Sequence, residues 1–208
     1  MESFAARVLF CGRQIRSRNK VIPGGSERGE RTPRKRGCSK SDPKRVKIPR
    51  GLAMKLNLKM KEIVERNGLD PTFPTPLHPA LKKLVEPGFV RLNDSILLQA
   101  LTQGARAVSL TDFPDETGYE SFVNHIHVED YIPHEKQSAS SLMANSMSLA
   151  STLCKMLRQS FPNEAFEVIV SFQDNHYTVR FHKCREGQQW LSDNLDDYQQ
   201  EALMVVEA

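Results

Sequence analysis

The chain has 208 residues, 39% of them hydrophobic and 26% charged, and a formal net charge of +4. That is enough for one ordinary domain with its own core, and no apolar run approaches the roughly 20 residues a membrane-spanning helix requires. Four widely separated cysteines, Cys11, Cys38, Cys154 and Cys184, form no CxxC pair, which excludes a disulfide framework and zinc-finger spacing. We expect reduced thiols and a soluble, cytoplasmic protein. Val8–Cys11 is too short for the apolar stretch of a secretory signal.

The modest total hides a split. Residues 1–60 carry 17 Lys/Arg against 4 Asp/Glu, whereas residues 61–208 carry 12 against 21. From Arg13 to Arg50 the composition is Arg, Lys, Ser, Gly and Pro, with isolated hydrophobes too sparse to repay the entropy of ordering. Residues 1–53 are therefore expected to be a disordered basic arm. The residues of Arg31, Arg34, Lys35, Arg36, Lys44, Arg45, Lys47 and Arg50 would suit salt-sensitive contact with nucleic-acid phosphates, without interleaved aromatics for base stacking. Residues 1–18 have the composition of a mitochondrial presequence, and Pro33–Arg36 that of a nuclear-import patch. Against these stands the plainer expectation that the arm is dispensable and that the functional polypeptide starts at Met54.

Residues 54–208 are expected to be a single α+β domain, with a helical part over 54–104 and a strand–helix–hairpin–strand part over 105–208. Leu56, Met60, Ile63 and Val64 predict a helix over 56–66, stopped by Asn67-Gly68. Pro79 opens a second helix carrying Leu81, Leu84 and Val85, ended by Pro87-Gly88. A third is predicted from Asp94 to Gln103, capped by Asp94 or Ser95, with Leu97, Leu98 and Leu101 facing inward. Ala107–Leu110 reads as a short strand and 111–120 as a polar loop. Ser121–Tyr131 alternates as a strand. A long helix follows over 138–160, with an apolar face from Leu142 to Leu157. Phe166–Gln173 and Tyr177–Cys184 read as strands around the turn Asp174-Asn175, and Ala202–Val206 as the last strand. This order implies an antiparallel sheet of about four strands with helices packed on one face.

Two surfaces could carry function. If the strand phases hold, the uncovered sheet face collects His125, His127, Glu129, Glu167, Ser171, His176, Thr178, Arg180 and His182. His125 and His127 project to one side, and His182 or Glu129 could complete a three-ligand zinc or iron site. A solvated sheet face is the commoner meaning of such residues. The second surface is acidic: Asp193, Asp196, Asp197 and Glu201 surround Trp190 and Tyr198, the composition of a docking site for a basic protein. Packing of both aromatics under the sheet would leave the acids merely solubilising.

No GxSxG, HExxH, GxGxxG or glycine-rich phosphate loop is present, so no cofactor is implied, and Cys184 near His182 is weak evidence for a thiol nucleophile. The composition favours a non-catalytic protein-binding domain. As a class, bacterial immunity proteins share this size, acidity and layout, though no motif ties the chain to them. Nucleic-acid binding through residues 13–50, or a metalloprotein using His125, His127 and His182, are the alternatives.

Overall fold

The computed structural model describes the backbone of Val46–Lys47 and residues 53–72, 75–105 and 108–208. All of these belong to the second of the chain's two units, Lys44–Ala208. Apart from Val46–Lys47 and Ala53, the expected basic arm lies outside the described residues. In chain order the elements are β1 (Val46–Lys47), β2 (Ala53–Leu56), α1 (Leu58–Arg66), α2 (Pro79–Val85), β3 (Phe89–Leu92), β4 (Ser95–Leu98), α3 (Thr102–Ala105) and α4 (Glu116–Val123). They continue with β5 (Ile126–His127), α5 (Ala139–Ser160), β6 (Phe166–Gln173), β7 (His176–Lys183) and β8 (Ala202–Glu207). Among the described residues six strands form one antiparallel sheet in the order β1-β2-β8-β6-β7-β5, and β3 and β4 form a separate hairpin, so the class is α+β as expected.

The sheet is organised by β6 and β7. Asp174 and Asn175 take φ of 49° and 67°, the double left-handed turn whose twist matches an antiparallel pair. Phe166, Val168 and Val170 then point to the same side as Tyr177, Val179 and Phe181, all in the main core. Against them lies α5, which buries Leu142, Met143, Leu149, Leu153, Cys154 and Leu157. That helix is rich in Ser and Thr, each costing roughly 0.5 kcal/mol relative to Ala in helix propensity. Burying even two of its leucines, at about 1.5–3 kcal/mol apiece, offsets most of this cost. Some of its hydroxyls are also satisfied within the helix, Ser146 Oγ donating to Leu142 O (2.8 Å) and Thr152 Oγ1 to Ser148 O (2.8 Å).

The opposite face of the sheet is only partly open. Ile169, Leu203 and Val205 are buried there beneath Trp190, Leu191, Leu195 and Tyr198, all from the connection between β7 and β8. Toward β7 and β5 the same face turns polar.

Five segments depart from the sequence-based expectation. Ala53–Leu56 is a strand paired with β8, and the first helix starts only at Leu58. Asn57 makes that switch: its Oδ1 accepts from Met60 N (2.9 Å) and Leu203 N (3.0 Å), and its Nδ2 donates to Glu201 O (2.7 Å). Asp94–Gln103, expected as a helix, supplies β4, the 3-10 turn Gln99–Leu101 and part of α3. Asn93, at φ 54°, turns the chain back from β3, and all four residues of β4 are buried. The segment 111–120, expected as a loop, holds most of α4, capped by Asp115, whose Oδ1 accepts from Gly118 N (2.7 Å). Of the strand expected over Ser121–Tyr131 only Ile126–His127 is paired, and Leu110 opens a 3-10 turn instead of closing a strand.

A buried polar clasp on α4 explains why β4 is a strand. Glu120 Oε1 accepts from Ile96 N (2.6 Å), while Asn124, one turn on, accepts from Leu98 N (2.9 Å) and donates to Ile96 O (2.9 Å). These side chains satisfy the free edge of β4 as a neighbouring strand would. They also reach β7: Glu120 Oε2 accepts from Lys183 N (2.7 Å), and Asn124 Nδ2 donates to Phe181 O (3.2 Å). Arg185 closes the clasp, with its two terminal nitrogens 3.0 and 2.8 Å from the Glu120 carboxylate oxygens. Burial works against the guanidinium charge, but Glu120 and Asp94 outweigh it and raise the pKa of Arg185.

Candidate functional site

The acidic segment folds as a cover. Trp190 and Tyr198 are half-buried, packed on Ile169, Leu203 and Val205, and the Arg180 guanidinium lies 5.3 Å from the Trp190 ring centroid. Tyr198 OH accepts from Ser192 N (2.9 Å). Asp193, Asp196 and Asp197 are exposed, and Glu201 is half-buried. Each aspartate also shapes the loop: Asp193 accepts from Gln189 Nε2 (3.0 Å), and Asp197 from Asn194 Nδ2 (2.7 Å) and Ser192 Oγ (3.1 Å). Asp196 Oδ1 accepts from the backbone N of Leu58 (2.7 Å), at the start of α1. Leu58 is 62% exposed, one of two large hydrophobic residues standing out among the described ones. Sequence reasoning missed it, because its neighbour Asp196 is 138 positions away in the chain.

The polar part of the sheet face holds the histidines. In register, His127 faces Thr178, and Thr178 faces Ser171. Glu167 faces His182 and Ile169 faces Arg180. His125, His127 and His182 do not converge. His182 sits four residues along β7 from Thr178, about 13 Å at strand rise, with its Nε2 3.5 Å from Glu167 Oε2. Burial lowers its pKa, opposed by Glu167. His125 Nε2 lies 3.3 Å from Arg180, and burial, with Arg180 and His127 beside it, lowers its pKa well below the ordinary value.

What converges instead is His127, Glu129 and His176, whose donor atoms all lie within 4.8 Å of one another. Glu129 Oε1 is 3.0 Å from His176 Nδ1 and 3.5 Å from His127 Nδ1. Its Oε2 accepts from Tyr177 N (3.2 Å). Burial pushes the Glu129 carboxyl up, but His127, its own backbone N–H and His176 overcome this and leave it at about 2. His176 was placed on this face from the sequence but not in the ligand set, because the pairing of β5 with β7 is a tertiary fact.

Cys184 reaches the surface, yet desolvation and then the nearby carboxylates of Glu167, Glu207 and Glu120 push its thiol up to about 11, leaving little thiolate at neutral pH. The nucleic-acid alternative falls on Arg31, Arg34, Lys35, Arg36, Lys44, Arg45 and Arg50, all outside the described residues, and on Lys47, whose backbone alone is described, in β1. Among the described residues no helix is long and apolar enough to cross a membrane.

These features define an α+β protein with a helix-backed antiparallel sheet, an acidic cover and a His-Glu-His cluster at one edge. Residues 55–208 match the model of the uncharacterized protein PM0498 family, and the chain belongs to that family. No curated protein and no solved structure matches it.

Proposed function

We propose that the protein is a non-catalytic binding domain that docks a basic protein on the surface built by Leu58 and the acidic cover. The supporting observation is Leu58 itself: a leucine 62% exposed, tied through its backbone N–H to Asp196, on a loop that also exposes Asp193 and Asp197. Full burial of such a side chain contributes roughly 1.5–3 kcal/mol, while the carboxylates speed encounter and disfavour acidic competitors. Trp190 and Tyr198 hold the loop against the sheet and so fix where the carboxylates stand. Such a surface suits an inhibitor that neutralises a cationic protein.

The test is affinity capture with the full chain at rising salt, comparing the parent with Leu58→Asp and Asp193→Lys. Both substitutions lie on exposed side chains and leave the core untouched. A basic protein retained by the parent, lost from both variants and eluted by salt supports the assignment. Retention that ignores salt and both substitutions refutes it.

A further inference from the structure

We propose that His127, Glu129 and His176 bind a divalent first-row transition-metal ion, through one imidazole nitrogen from each histidine and one carboxylate oxygen. The assignment is independent of the docking surface. Its first support is geometric. Zinc-type ligands sit about 2.0–2.2 Å from the metal, so two tetrahedral ligands are separated by about 3.4 Å. The Glu129 oxygen stands 3.0 and 3.5 Å from the two nitrogens, on either side of that value.

A second support is an orphan atom. His127 Nδ1 is buried, aimed at Glu129, and makes no hydrogen bond. Buried polar atoms are seldom left so, and a metal ion between imidazole and carboxylate would give this nitrogen a partner.

The ligands are also held in place before any ion arrives. His127 is fixed by its pairing with Thr178, and its ring is flanked by that of His125 at 4.4 Å. The Tyr177 N–H fixes the far oxygen of Glu129. His176 follows directly on the Asp174-Asn175 turn. Such outer support orients ligands and raises affinity. Two nitrogens and one oxygen favour zinc and its neighbours over calcium or magnesium, which take oxygen donors. The His176 side chain is 64% exposed, so an ion can reach the cluster from solvent.

The experiment uses the metal-free full chain carrying Cys11→Ser and Cys38→Ser, so that those thiols cannot contribute. Zn²⁺ is titrated in competition with a chromogenic chelator, and stoichiometry is read by calorimetry. We expect one equivalent bound and a rise in the melting temperature. His176→Ala and Glu129→Ala should each weaken binding at least about 100-fold, beyond the 10- to 100-fold typical of outer-shell substitutions. His134→Ala, at an exposed histidine elsewhere, should change nothing. Circular dichroism checks that His176→Ala, a surface change, keeps the fold. Absence of binding, binding that survives both ligand substitutions, or equal loss on His134→Ala would each overturn the assignment.

Discussion

Removing the Glu120 carboxylate should be among the most damaging single changes in this protein. The residue is 0% exposed and receives four hydrogen bonds: from Ile96 N, from Lys183 N and two from Arg185. In Glu120→Ala both backbone N–H groups lose their partner, each worth about 1–3 kcal/mol when left buried and unpaired. Arg185, whose side chain is 9% exposed, loses one counter-charge but keeps Asp94, with Nε 3.0 Å from its Oδ2. Breaking a buried ion pair costs about 3–5 kcal/mol, and the surviving Asp94 contact places this case toward the lower end. These losses sum to at least about 5 kcal/mol, so with a urea slope of about 2 kcal/mol per molar the midpoint should fall by roughly 2.5 M or more at unchanged slope. The pair Glu120→Ala with Arg185→Met should lose less than the sum of the two single changes, since the stranded charge is gone. A loss below about 1 kcal/mol for Glu120→Ala would refute the view that this carboxylate ties the β3–β4 hairpin to the main sheet.

Asn57→Ala should cost about 2–4 kcal/mol in urea unfolding, since it removes the cap of α1 and strands the buried Leu203 N–H. A loss no greater than that of an ordinary surface cap would contradict the second role. Asn175→Gly should raise stability by up to about 1 kcal/mol, because asparagine tolerates φ of 67° but glycine adopts it without a Cβ penalty; an unchanged or lower melting temperature would count against this. His182 supplies a pH dependence. Its folded pKa lies below the ordinary 6.5, so the unfolded chain binds more protons and stability is complete above about 6.5 and falls as the solution is acidified below it. His182→Gln should therefore lose less stability than the parent between pH 7.5 and 5, and urea midpoints that shift in parallel would sink the assignment.

Legibility in the sequence followed the range of the interactions. The β6–β7 hairpin and α5 were readable because alternation, a positive-φ turn and a 3.6-residue apolar stripe are local signals, and their inner residues came out as expected. The β3–β4 hairpin was not, because Asn93-Asp94-Ser95 before a leucine run also resembles a helix start. What decides it is Glu120 and Asn124, placed about 25 residues later by a helix that itself looked like a polar loop. The histidine face was legible as a face but not as a cluster. Strand parity puts His125, His127, Glu129, His176 and His182 on one side and makes Glu129 a candidate ligand, whereas only the adjacency of β5 and β7 brings His176 to it. The acidic loop was visible in composition, but not its contact with Leu58, which depends on β2 lying beside β8.

That last adjacency bears on the order in which the protein can assemble. Met54 pairs with Val206 and Lys55 with Val205, a separation of about 150 positions, and closing so long a loop is entropically slow. By contrast β6 and β7 are joined by two residues, and α5 precedes them directly, so this trio can collapse early as a nucleus. β8 must settle on β6 before β2 has an edge to join, which makes the docking of β2 and α1 a late event. Substitutions at Met54 or Leu56 should then leave the refolding rate nearly untouched and act by hastening unfolding.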